Sequence, residues 1–288
     1  MTVVSPKLPP NAFLSDVRTY EVDAQQGMVA DSDSELDELA TRAVASGNPE
    51  LVVEPANSNR PYRSAIAIPI YRNDLVVSVV VLATNTSQEA VGVFEIWSPV
   101  GVYEELGLSN GFFGKLSRFQ NVTSFVRFEK GSGLPGQVWN ALRARIHDNL
   151  SNHAGFLRAA GASADSLNTA IGVPVMGKQY NASVLMISSA ATPIARGFEV
   201  WQAEPDGFTL ESSAYCSDDI RLESGTKLSL TNGLLGMAYE RGTAVITEDE
   251  SCLLAGRDTK VGSGAVASGI AIPFFESDVM TSVTVLLF

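Results

Sequence analysis

One short pattern occurs three times along this chain and constrains everything else about its fold. Ser64-Ala-Ile-Ala-Ile-Pro-Ile, Thr169-Ala-Ile-Gly-Val-Pro-Val and Ser268-Gly-Ile-Ala-Ile-Pro-Phe are each an apolar run carrying one proline, and Pro69, Pro174 and Pro273 lie 105 and 99 residues apart. A polar turn follows each proline, then a β-branched run: Val79-Val-Val-Leu82, Val184-Leu-Met-Ile187 and Val283-Thr-Val-Leu286, each starting ten residues past its proline. Two apolar strands around a polar turn read as a hairpin. A hairpin returning at a near-constant period reads as a repeated unit of domain size. The period recurs elsewhere: Val93-Phe-Glu-Ile-Trp97 matches Gly197-Phe-Glu-Val-Trp201, and Gly133-Leu-Pro-Gly-Gln-Val-Trp139 matches Gly233-Leu-Leu-Gly-Met-Ala-Tyr239.

The repeat divides the 288 residues into modules over 1–89, 90–192 and 193–288, with almost no linker. In the second module the pattern predicts strands near 91–97, 106–113, 144–148, 170–175 and 183–188. A helix is expected over Pro135–Leu142, where Pro135 supplies a preset φ at its first turn. The third module's helix follows Asn232-Gly and stops at Gly242. In the first module Ser32-x-x-Glu35 reads as a capping box. Leu36, Leu39, Ala40, Ala43 and Val44 then recur at helical spacing up to Gly47-Asn-Pro49. Val17–Val22 alternates like one strand with no evident partner. Hairpins with few helices imply an α+β fold, antiparallel sheets with helices packed on them. A module this short cannot cover both sheet faces with its own helices, so one face is expected to form the pocket side and the other to pack on helices or on a neighbouring module.

Composition excludes several classes. Apolar residues make up 45% and acids outnumber bases 32 to 20, a net charge of −12. The first figure allows a sizeable core, and the second disfavours a nucleic-acid partner. The longest apolar stretches, such as 75–83, are far short of the ~20 residues that span a bilayer. The N-terminus has no basic start followed by an apolar run, so no secretory signal is expected and the expected location is cytoplasmic. Cys216 and Cys252 have no CxxC spacing and read as small apolar residues in a reducing compartment.

Gly131-Ser-Gly-Leu-Pro-Gly-Gln-Val-Trp139, Ile146-His-Asp148, Phe156-Leu-Arg-Ala-Ala160 and Ile171-Gly-Val-Pro-Val175, in that order, resemble the GAF domain family of bacterial signalling proteins. The third module keeps Gly233-Leu-Leu-Gly236, Val245-Ile-Thr247 and Ile270-Ala-Ile-Pro273; the first matches only in its second half. The resemblance implies tandem GAF-like modules, each an antiparallel sheet of five to six strands flanked by helices. It also implies a small-molecule pocket between the sheet and the segments joining the later strands. Family roles are sensing and dimerisation, so an unidentified small molecule and a homodimer are the expected partners. The motifs of the cyclic-nucleotide, bilin-binding and phytochrome-like subfamilies are missing, and no metal, haem or bilin attachment is expected.

Gly131-Ser-Gly-Leu-Pro-Gly136 also fits G-x-G-x-x-G, but dinucleotide binding needs a parallel β-α-β unit that the hairpins contradict, so a helix-capping turn is expected. His147 and His153, the only histidines, are too few for a metal site, and no Gly-x-Ser-x-Gly elbow accompanies them. Between the third strand and the repeated proline, 26 and 25 residues in modules two and three leave room for a lid-like helix, against 15 in module one. In module two that helix is placed at 154–160. Candidate ligand-binding residues are Trp139, Phe156 and Leu157 as an apolar wall, with His147 and Arg158 holding an anionic or carbonyl group. The competing reading has the aromatics filling the core and Arg158 paired with an acid at the surface. The expected function is a non-catalytic sensor or self-associating signalling module. One alternative is an interaction scaffold with filled pockets. The other is an enzyme on this scaffold, such as a free methionine sulfoxide reductase, which would need a suitably placed cysteine pair.

Overall fold

A computed structural model describes residues 6–9, 12–23, 34–55, 57–87, 89–257 and 265–288. Its strands form three antiparallel sheets. The first contains β1 (Leu14–Glu21), β2 (Glu50–Val53), β3 (Ser64–Arg72) and β4 (Leu75–Thr84), in the order β1-β4-β3-β2. The second contains β5 (Gly92–Val100), β6 (Glu105–Phe112), β7 (Arg127–Glu129), β8 (Arg145–His147), β9 (Leu167–Met176) and β10 (Tyr180–Ser189), in the order β7-β6-β5-β10-β9-β8. The third repeats that order with β11 (Gly197–Glu204), β12 (Gly207–Tyr215), β13 (Lys227–Ser229), β14 (Val245–Thr247), β15 (Gly269–Glu276) and β16 (Val279–Leu287). Strand β1 pairs with β4, which supplies the partner that its sequence neighbourhood does not.

The Ile-x-Pro segments are β3, β9 and β15, and each hairpins with the strand that follows. Pro69 faces Val79, Pro174 faces Ser183 and Pro273 faces Val283. The ten-residue spacing is therefore the register in sheets one and three and is one residue shorter in sheet two. On the other side, the edge strands β2, β8 and β14 end their pairing at Ala67, Gly172 and Ala271, two residues before each proline. The residue without an N–H thus falls past the last rung on that edge, where no donor is required.

Helix α1 (Glu35–Ser46) covers one face of the first sheet, α3 (Gly133–Ala141) the second and α5 (Gly233–Arg241) the third. The cap of α1 differs from the expected box. Ser34 is the N-cap, its Oγ accepting from Asp37 N at 3.3 Å while Asp37 Oδ2 accepts from Ser34 N at 3.0 Å; Ser32 lies outside the described residues. Gly47 closes that helix in the left-handed region (φ +65°). Helices α3 and α5 start after Ser132 and Asn232, at Gly133 and Gly233, whose φ values are +58° and +59°. With every strand pairing antiparallel, the glycine-rich run is a helix-entry turn. Sheet two also carries α2 (Ser117–Ser124) and α4 (Ala159–Ala164). The lid expected as a helix over 154–160 is mostly turns, and its helix begins only at Ala159.

The second face of every sheet is buried against the other two sheets. Ile66, Ile68 and Ile70 of β3, Ile171, Val173 and Val175 of β9, and Ile270, Ile272 and Phe274 of β15 belong to one shared core. The alternate residues, such as Ala67, Val81, Leu185 and Val285, face each module's own helices. Burial on both faces explains why these strands read as continuous apolar runs rather than alternating ones. Each fully buried Ile or Val contributes about 1.5–3 kcal/mol. The sheets also close a ring: β2 packs on β6, β8 on β11 and β12, and β14 on β1. Each short edge strand thus meets the front of the next sheet, and the last returns to the first, a head-to-tail contact that closes within one chain. Arg145 on β8 pairs with Glu211 on β12 across one joint, and Asn110 Nδ2 donates to Leu51 O at 3.2 Å across another. At the third, Ser268 Oγ donates to Lys7 O at 2.7 Å.

Candidate functional site

One rung crosses the same place in each sheet. It reads Glu50–Ala67–Val81–Arg18 in the first, Arg145–Gly172–Leu185–Glu95 in the second and Val245–Ala271–Val285–Glu199 in the third. The last residue of each rung is charged and stands on the helix-bearing face. Phe156 and Leu253, from the segments joining the later strands, pack on that face in sheets two and three, and the resemblance implies a ligand pocket between such segments and the sheet.

In the second sheet Glu95 is fully buried beneath Arg158, itself nearly inaccessible. Arg158 Nη1 donates to Glu95 Oε1 and, at 2.9 Å, to Thr123 Oγ1, and Nη2 donates to Glu95 Oε2 at 2.9 Å. Trp97 Nε1 donates to the same Oε2 at 2.8 Å. Four rings surround the guanidinium carbon: Phe119 at 4.8 Å, Phe156 at 5.2 Å, Trp97 at 5.5 Å and Phe128 at 5.8 Å. A buried ion pair survives only when its lone pairs and protons find partners, and here the bidentate fork and the rings provide them.

The third sheet repeats the arrangement with a different source of arginine. Glu199 accepts from Arg257, from Trp201 Nε1 at 2.8 Å and from Tyr215 OH at 2.8 Å. Burial and the Glu199 carboxylate push the Tyr215 phenol well above its ordinary range. Backbone carbonyls hold the rest of Arg257, Ile220 O accepting from Nε at 3.0 Å and Leu253 O from Nη1 at 2.9 Å. The cavity left beside this pair is about 20 Å³, room for about one water.

The first sheet inverts the charge. Arg18 takes the glutamate's place, with Asp37 Oδ1 3.5 Å away and Asp16 Oδ2 accepting from Nε at 2.9 Å. Tyr20, the rung position of Trp97 and Trp201, donates to Asp37 Oδ1 at 2.6 Å. Burial, with Asp37 adding to it, pushes that phenol well above its ordinary range. Beside Arg18 lies an open concavity of about 420 Å³, bounded by Ser15, Ser34, Glu35, Pro61 and Tyr62.

The expected site residues separate. His147, Phe156 and Arg158 come together: His147 meets Phe156 edge-on at 6.2 Å, and Phe156 lies under Arg158. Arg158 does not offer its fork to an anion, because Glu95 and Thr123 already take it, and its acid is buried rather than at the surface. Leu157 is 60% exposed. Trp139 stacks on Tyr180 at 5.4 Å with Lys130 Nζ 5.4 Å from its ring, apart from that cluster. His147 is buried, its Nε2 2.9 Å from Gln137 Oε1, and its ring stacks on His153 at 3.8 Å. Burial, then the neighbouring His153, lowers its pKa from 6.5 to about 4. Glu95 and Glu199 were the residues missed; an acid recurring inside an apolar run, two residues before a tryptophan, was the signal for them.

Two sheets of this order with helices on one face fit the expected fold. The solved structures that align with part of the chain include GAF domains. Among solved structures, the nlh2 GAF domain of A. Aeolicus in an inactive state aligns at 19% identity and TM-score 0.28 over 35% of this chain and 59% of its own. The GAF domain of an Acinetobacter phosphoenolpyruvate-protein phosphotransferase aligns at 20% identity and TM-score 0.26, over 35% and 55%. A free methionine-R-sulfoxide reductase from Neisseria meningitidis, solved with its substrate, aligns at 16% identity and TM-score 0.27, over 35% and 53%. Each alignment thus covers about a third of this chain and little more than half of the other. No family profile and no curated protein matches the sequence. Among the described residues no helix is long and apolar enough to cross a membrane.

Proposed function

We propose that this chain is a non-catalytic signalling module of the GAF type, built from three units over 1–89, 90–192 and 193–288, that acts through its outer surface. The observation carrying this reading is that the pocket position in modules two and three is filled by the protein's own Arg158–Glu95 and Arg257–Glu199 pairs. Each arginine fork is taken by a glutamate, so a nucleotide or an anionic metabolite finds no free donor there. The sheet backs and the edge strands β2, β8 and β14 are spent on the internal ring, so the helix-bearing outside is a surface left for a second copy or another protein. The net charge of −12 weighs against nucleic acid, and the expected compartment is the cytoplasm.

Neither thiol suits a reductase. Burial raises the pKa of Cys216 and of Cys252, and the carboxylate of Asp249 adds to the effect at Cys252. A low thiolate fraction makes a poor nucleophile. The test is a turnover assay on free methionine-R-sulfoxide with dithiothreitol, beside a thermal-shift screen against nucleotides and anionic metabolites. No turnover and no stabilisation are expected. Turnover abolished by Cys216→Ser or Cys252→Ser would replace this reading with the enzyme. A nucleotide raising stability by the ~2.7 kcal/mol that a ligand at 100 times its Kd gives would replace it with a nucleotide sensor. Sedimentation at rising concentration identifies the partner as a second copy if the mass increases.

A further inference from the structure

We propose that the cage around Arg158 is a guanidinium-binding site, occupied at rest by the chain's own side chain, and that a small molecule bearing a guanidinium group is the ligand class able to take its place. This goes beyond the reading of the outer surface and stands apart from it.

The groups that hold the Arg158 head come almost wholly from outside its own segment. Glu95 and Trp97 lie on β5, Phe119 and Thr123 on α2, and Phe128 on β7. Together they form a recognition set for a planar cation: a carboxylate taken by both Nη atoms, a hydroxyl acceptor and aromatic faces within 6 Å. An ammonium group cannot span both carboxylate oxygens in that fork, which gives the site a preference for guanidinium. Arg257 is the internal contrast. It too pairs with a buried glutamate, but backbone carbonyls stitch it in place, and among the described residues no ring stands over it. Its role is structural, whereas the Arg158 head sits in its cage as a tethered ligand does.

The tether is weak in regular structure. Residues 149–158 are mostly turns, and only Leu150, Phe156 and Arg158 among them are buried. Segments with few buried contacts open at low free energy. Withdrawal of Arg158 would strand the Glu95 carboxylate in apolar surroundings, a costly state unless another cation enters. Opening of the segment and entry of a guanidinium are therefore linked, and the ligand draws the equilibrium toward the open form by its preference for it.

The experiment uses the full chain and methylguanidinium as the probe, with sodium and tetramethylammonium at equal ionic strength as controls. In Arg158→Ala, calorimetry is expected to show saturable 1:1 binding of methylguanidinium, at least tenfold tighter than tetramethylammonium and weakened at least tenfold by adding Glu95→Gln. In the wild type, hydrogen exchange over 149–164 is expected to rise saturably with methylguanidinium and not with the controls. A folded Arg158→Ala without saturable binding overturns the proposal, and so does wild-type exchange that stays unchanged at concentrations saturating the variant. If Arg158→Ala does not fold, the wild-type exchange result decides alone.

Discussion

Arg18 and Glu95 occupy the same rung of equivalent strands with opposite charge, Arg18 opposite Val81 and Glu95 opposite Leu185. The rung that carries a buried anion in the second and third sheets carries a cation in the first, and the partner changes sign with it: Asp37 for Arg158 and Arg257. One ion pair on the helix-bearing face is thus common to the three units. The partner comes from α1 in the first unit, from just before α4 in the second and from beyond α6 (Glu250–Leu253) in the third. The position is kept while the route by which the chain reaches it is not.

Removing one partner of such a pair leaves a desolvated charge behind. Glu95→Ala is expected to destabilise the protein by about 3–5 kcal/mol, and Glu199→Ala by a similar amount. Glu35→Ala breaks an exposed, solvent-screened pair with Arg60 and should cost much less than either. Urea unfolding of the three variants measures this, and equal losses in all three would contradict the assignment.

His147 makes stability depend on pH. Its folded pKa lies near 4, below the unfolded value of 6.5, so the unfolded chain binds the proton more tightly. The contribution is fully present above pH 6.5 and is lost as pH falls from there toward about 4, to the extent of about 2–3 kcal/mol. His147→Gln should flatten that part of the curve. Unfolding free energies at pH 7 and pH 5 for both proteins test it: the wild type should lose stability between them, and the variant measurably less.

Much of this was legible in the sequence because hairpins are local. The β3–β4, β9–β10 and β15–β16 pairs and helices α1, α3 and α5 follow from apolar spacing and from Gly47, Gly133 and Gly242. The three-residue strands β7 and β13 are too short to show a period. Helix α2 buries only Phe119 and Thr123 among polar residues and gives no apolar stripe. At the start of α1 the pattern Ser32-x-x-Glu35 fits a capping box, but the cap is Ser34 with Asp37 in the glutamate's place, which contacts decide and the sequence does not display. The ring of sheets and the cage were not legible for the same reason: Arg158 lies 63 residues from Glu95, and nothing local announces that pairing. Trp139 and Leu157 were chosen because large apolar side chains near a helix suggest a wall, but the face each one takes is decided by packing.

Two glycines with similar backbone separate conformation from contact. Gly133 has φ +58°, and a Cβ there would stand 2.4 Å from the Phe128 ring, one of the rings around Arg158. Gly101 has φ +66° with nothing within 4 Å. Gly101→Ala should cost about 1 kcal/mol, the backbone strain alone. Gly133→Ala should cost clearly more, because the ring must move and the cage with it. Thermal unfolding of the two variants gives the comparison, and equal losses would show that Phe128 yields freely.

The shared core predicts how the chain unfolds. Ile272 sits in the third sheet, yet it belongs to the same buried cluster as Ile68 and Val173 of the other two. Truncation there opens a cavity in the core that all three sheets share, so Ile272→Ala should cost about 2–5 kcal/mol. The ring joints β2–β6, β8–β12 and β14–β1 couple the sheets further, so no unit should survive the loss of its neighbours. Unfolding of Ile272→Ala should therefore remain one transition, coincident by far-ultraviolet circular dichroism and by the fluorescence of Trp97 and Trp201, which report sheets two and three. Separate transitions at the two probes, with the second sheet outlasting the third, would mean that the modules are independent bodies and that the ring contributes little to holding them together.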